Sequence, residues 1–205
     1  MGKVKMSKKA AAIDMTAMCD VAFLLLTFFI LTATAKQPEA LPVDMPSSTN
    51  QTKLPEKDLA TITIGGKDKV FFSVLGKDVR KRTLELMGQK FGVQFTPEEQ
   101  EKFSVIETFG VPIQEMSGLL AIKGDQRNKP GVQNGIPKDS INNELKEWIY
   151  NARIATKEFS NKELQLAIKG DAKEQYPAIQ NVMDILQDQQ INNFNLVTGL
   201  RGKDF

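Results

Sequence analysis

The chain has 205 residues, 41% hydrophobic and 25% charged, with one cysteine and no histidine. Without an imidazole it cannot build a Ser-His-Asp or Cys-His nucleophilic system or a usual zinc site by itself, and Cys19 alone gives neither an intrachain disulfide nor a CxxC redox pair. The formal charge of +2 is uneven. Residues 1–12 carry Lys3, Lys5, Lys8 and Lys9 and no acid, residues 13–35 carry only Asp14 and Asp20, and residues 36–205 are neutral with no basic stripe suited to nucleic acid.

The first predicted element is a membrane helix. Val21 to Ala35 runs without a charge, but as a helix that stretch covers only about 22 Å of a hydrocarbon core about 30 Å thick. Extension back to Met15 gives roughly 31 Å and places Asp20 inside the span. The four lysines precede the segment, so the positive-inside rule puts the N-terminus in the cytoplasm and residues 36–205 across the membrane. A cleaved secretory signal, with Ala33-Thr34-Ala35 as the cleavage site, is the competing reading. Asp14 and Asp20 argue against it, since an apolar signal core has no use for acids and a charge in a span costs about 2.5–3.5 kcal/mol.

Thr16, Asp20, Thr27 and Thr34 recur at helical spacing and define one polar face, while Phe23, Phe28, Phe29 and Ile30 take much of the rest. Back-bonding to the helix's own carbonyls accounts for Thr32 and Thr34. It does not account for a carboxylate, whose charged form is disfavoured out of water; such a group can take up a proton from one side and release it to the other. Asp20 is therefore the candidate proton-transfer residue, with Thr16, Thr27 and Asp14 as supporting polar groups. Asp14, about 9 Å away along the axis, reads equally as an interfacial acid balancing the lysines.

The run Ile13-Asp14-Met15-Thr16-Ala17-Met18-Cys19-Asp20-Val21 followed by FLLLTFFILTATA resembles the membrane helix of the ExbD/TolR family. The resemblance implies that Asp20 is the protonatable group, with Thr16 one turn before it. Asp14 and Ala17 stand where the family usually has Asn and Pro. Val43-Asp44-Met45-Pro46-Ser47-Ser48 resembles the V-D-L-P-x-A/S stretch that follows the helix, with Met45 in place of Leu, and marks a candidate partner-binding segment. By composition residues 36–58 are an extended tether with prolines at 38, 42, 46 and 55, suited to pairing with a sheet edge.

Beyond the tether, alternation through Ile62 and Ile64, the turn Gly65-Gly66-Lys67-Asp68 and the return Val70 to Val74 predict a hairpin over 59–75. Residues 76–138 have no counterpart in the short family pattern and read as an insertion. It holds a charged helix from Asp78 to Lys90, a start at Thr96-Pro97-Glu98-Glu99, an apolar patch from Met116 to Ile122 and a loop from Gly124 to Pro137. A helix begun at Asp139 or Ser140 carries Ile141, Leu145, Trp148 and Ile149, with Trp148 in the core. Leu164, Leu166 and Ile168 form a strand, Gly170-Asp171 ends it with Asp171 capping the next helix, and Tyr176, Ile179, Val182, Met183 and Leu186 mark one face of that helix. A strand from Phe194 to Val197 follows. The pentapeptide Ala-Ile-Lys-Gly-Asp at 121–125 recurs at 167–171 and reads as coincident strand-then-turn chemistry.

The fold class expected is a single N-terminal transmembrane α-helix and a small α+β periplasmic domain ordered hairpin, helix, strand, helix, strand. The segments are a basic tail 1–12, the membrane helix 13–35, a linker 36–58, and the domain 59–205 with its insertion. The resemblance implies a proton-channel subunit of an inner-membrane motor. Its expected partners are an ExbB/TolQ-like polytopic subunit around the helix, a TonB/TolA-like periplasmic protein and a second copy of the chain. A Tol-type envelope-maintenance motor and a cleaved, soluble periplasmic binding protein are the alternatives. No glycine-rich cofactor loop is present, and Gly199 to Lys203 lacks the P-loop spacing, so neither a cofactor nor an enzymatic role is expected.

Overall fold

The computed structural model describes residues 15–32, 39–48, 54–66, 68–139 and 142–200. Two compact units divide between Gln37 and Pro38. The first contains α1, Met15–Thr32, an 18-residue helix with mean hydropathy 2.0. No described side chain of α1 is buried. Asp14 and Thr34 lie outside the described residues.

The second unit is a mixed α/β domain. In chain order it contains β1 (Ser47–Ser48), β2 (Leu59–Gly65), β3 (Lys69–Val74), α2 (Lys77–Phe91), α3 (Pro97–Ser104), a 3-10 turn at Ile113–Glu115, α4 (Met116–Ala121), α5 (Gly124–Arg127), α6 (Glu144–Ser160), β4 (Gln165–Gly170), α7 (Tyr176–Asp188), β5 (Asn195–Val197) and β6 (Gly199–Leu200). The main sheet has the order β3-β2-β4-β5. β2 and β3 form the expected antiparallel hairpin with Ile62 opposite Phe72, whereas β2–β4 and β4–β5 are parallel. As an interior strand β2 is buried on both faces, and Ala60, Ile62 and Ile64 are fully covered.

Local chemistry explains several helix boundaries. Thr96 and Glu99 close a reciprocal capping box with Pro97 in the first turn, which starts α3 where the sequence signals it. α2 ends at Gly92 in the left-handed region, φ 70°, which glycine adopts without penalty. α6 begins later than Asp139 or Ser140. Asn143 is its N-cap, accepting from the Lys146 amide at 3.0 Å, and Ser140 falls outside the described residues. The short strand β5 begins at Asn195, one residue after Phe194.

α2 packs against α6, and an aromatic cluster joins α3, α6 and β3. Phe109 lies 4.6 Å from Trp148, 5.1 Å from Phe103 and 6.1 Å from Phe72 between ring centroids. Trp148 is fully buried, as expected of a core residue. The repeated pentapeptide folds in two ways: at 167–171 it ends a strand, while at 121–125 it joins the end of α4 to the start of α5. The strand-then-turn reading therefore holds only for the second copy.

Candidate functional site

On α1, at about 100° per residue, Thr16, Asp20 and Thr27 fall within an arc of about 40°, and Thr32 lies well away from it. Asp20 is the one charged residue of the described helix, is exposed, and forms no ion pair among the described residues. The Thr27 hydroxyl donates to the Leu24 carbonyl at 2.9 Å, so it too back-bonds, as the Thr32 hydroxyl does to Phe28 at 2.7 Å. That engages the hydroxyl proton of Thr27 within its own helix. The polar stripe is narrow. Phe23 stands about 60° from Asp20 and borders the stripe.

The second feature is the segment 39–48, in the other unit. It crosses the ends of β2 and β4 instead of standing clear of the domain. Lys169 pairs with Glu39 at 2.6 Å, the Ala172 amide donates to the Asp44 carbonyl at 2.7 Å, and Lys173 pairs with the Asp44 carboxylate at 3.1 Å. The Asp44 carboxylate holds the Lys173 ammonium above its ordinary pKa, with Asp171 contributing. Half-buried Leu41 and Val43 lie over the Gly65-Gly66 turn. A Cβ on Gly65 would stand 2.6 Å from Val43 Cγ1, so this close approach requires a glycine. The segment ends in β1, which pairs in parallel with β6, Ser47 opposite Gly199 and Ser48 opposite Leu200. Of the four residues marked as partner-binding, Val43 and the Asp44 backbone are engaged internally, while Met45 and Pro46 are exposed.

Asp171 does not cap α7. The N-cap is Gln175, and Asp171 Oδ1 instead accepts from the Lys173 amide two residues on, shaping the turn that receives Asp44. This role was hidden because an acid just before a helix serves either a cap or an Asx turn, and spacing alone does not separate them. Among the described residues no group of three or more Cys, Asp or Glu side chains could hold a metal.

An apolar helix long enough to cross a bilayer, with one carboxylate among its described residues, followed by a small mixed α/β domain, defines a class of membrane-associated proteins. The family model for biopolymer transport protein ExbD/TolR matches residues 6–200, and the chain belongs to that family. The protein is thus a membrane-associated subunit of the biopolymer-transport motors, which work with partners of the ExbB/TolQ type. Comparison with curated proteins and with solved structures gives no match.

Proposed function

We propose that this chain is the proton-carrying subunit of an ExbB–ExbD type motor in the bacterial inner membrane. Its N-terminus is cytoplasmic and the α/β domain periplasmic. Asp20 takes up a proton from one side and releases it to the other. The observation that carries the reading is a single carboxylate, aligned with Thr16 and Thr27, on a helix otherwise apolar enough to span a bilayer. One elementary charge crossing 100 mV releases about 2.3 kcal/mol, close to the cost of holding a carboxylate in the membrane, so each proton can bias a conformational step centred on Asp20.

In this reading a polytopic ExbB/TolQ-like subunit surrounds α1, and two copies of the helix face each other through the Asp20 stripe. Asp14 supports proton entry at the cytoplasmic end. The outer domain passes the resulting motion to a TonB/TolA-like partner, with Val43 to Pro46 as the contact segment that energises outer-membrane transport. The deciding experiment is Asp20→Asn, nearly the same shape but unable to titrate. A variant that assembles with its pore subunit yet loses proton-dependent transport supports the proposal; one that assembles and works at the wild-type rate overturns it.

A further inference from the structure

The insertion 76–138 covers one edge of the sheet. β3 is the terminal strand on that side, and after Lys69 its sequence Val70-Phe71-Phe72-Ser73-Val74 is uncharged, rich in β-formers and, Ser73 apart, apolar. Such a segment on a free edge is a template for pairing with another chain. The outward backbone groups of β3 belong to Val70, Phe72 and Val74, by the two-residue alternation of a strand.

Four of those groups are taken, all by the insertion. The Phe72 amide donates to the Phe109 carbonyl at 2.8 Å, and the Phe109 amide donates to the Phe72 carbonyl at 3.0 Å. The Ile136 amide donates to the Val70 carbonyl at 2.8 Å. At the far end Arg80 Nε donates to the Val74 carbonyl at 2.7 Å, while its Nη1 holds the Ser104 carbonyl of α3 at 2.7 Å.

The covering pieces are also tied together. The Gly135 amide donates to the Gly110 carbonyl at 2.8 Å, and the Gly110 amide to the Oε1 of buried Gln133 at 2.7 Å. Gly110 lies flat on the Phe71 ring, where a Cβ would come within 2.5 Å of Cδ1. We infer that the insertion acts as an internal replacement for an edge strand, sealing β3 against sheet extension by a second copy of this chain.

The test uses the full chain in detergent micelles, with Cys19→Ser to remove the native thiol and Ser73→Cys as an edge reporter for a short bismaleimide. With the insertion intact, the expected yield of cross-linked dimer is at background. Gly110→Val, which forces the cover off Phe71, and Ile136→Pro, which deletes the donor to Val70, should raise the yield about tenfold, whereas Ile136→Ala, which keeps that donor, should not. Cross-linking through Ser73→Cys with the insertion intact overturns the inference, as does no gain over Ile136→Ala in folded edge variants. Should the edge variants unfold, hydrogen exchange on the unaltered chain decides. A Phe72 amide as slow as Ile62 supports the seal; one exchanging like an exposed loop while Ile62 stays protected refutes it.

Discussion

The Asp44 carbonyl accepts a 2.7 Å hydrogen bond from the Ala172 amide, joining segment 39–48 to the turn beyond β4. Beside it the Asp44–Lys173 ion pair is almost fully solvated, with both side chains more than three-quarters exposed. The two contacts are unequal, since an exposed pair contributes little. Asp44→Ala is therefore expected to leave residues 39–48 in place. Gly65→Val, which drives a side chain into Val43, is expected to release them. Hydrogen exchange at the Ala172 amide separates the two: near wild type in the first variant, strongly accelerated in the second.

Within the membrane helix the expected ranking follows the chemistry of each side chain. Asp20→Asn should abolish proton-dependent transport while preserving assembly with the pore subunit. Thr27→Val should reduce activity less, because Thr27 already spends its hydroxyl proton on Leu24. Thr32→Val should change it hardly at all. Rates of energised uptake in cells, normalised to membrane-fraction abundance, check the order.

Glu144 is a buried carboxylate at the start of α6 that accepts from the Ile113 amide at 2.8 Å, and Ile113 is itself fully buried. Glu144→Ala leaves that amide without its partner and should cost about 1.5–3 kcal/mol, whereas Glu144→Gln retains an acceptor and should cost less. Denaturant unfolding of the domain, followed by the fluorescence of Trp148, gives both values.

The capping box of α3 predicts a pH dependence. The Thr96 backbone amide holds the Glu99 carboxyl below its ordinary range. A carboxylate whose folded pKa is depressed stabilises the fold above its unfolded value near 4.3. That contribution is lost as pH falls through the folded value. Glu99→Gln preserves the reciprocal hydrogen bonds but does not titrate, so its stability should lack this acid step. Thr96→Ala should cost about 1 kcal/mol at neutral pH. Urea midpoints measured from pH 3 to 7 test both statements.

Much of the domain was legible because its signals are local. The β2–β3 hairpin is visible in the alternation of Ile62 and Ile64 before two glycines, α3 in Thr96-x-x-Glu99, and α7 in the spacing of Val182 and Leu186, both buried, whereas Tyr176 of the same marked face is exposed at the first turn. Features set by distant contacts were not. The start of α6 falls among several good capping residues, and its first residue, Glu144, answers to Ile113. The placement of Val43 depends on the missing Cβ of Gly65, and the pairing of Phe109 with Phe72 on no repeating pattern. At the candidate site the sequence marks Asp20, and the i+3 spacing of Phe23 is legible too, but the back-bond of Thr27 to Leu24 emerges only with the helix built.

Asp20 also bears on how the protein is made. A lone copy of α1 is a poor guest in lipid, since the acid costs about 2.5–3.5 kcal/mol and its own helix supplies no cation to offset it. The helix becomes comfortable only when another protein surrounds the carboxylate with water or polar groups. If Asp20 lies in the membrane as proposed, an orphaned copy of the chain carries an unmet electrostatic cost that assembly with a partner would relieve, which ties its biogenesis to companionship.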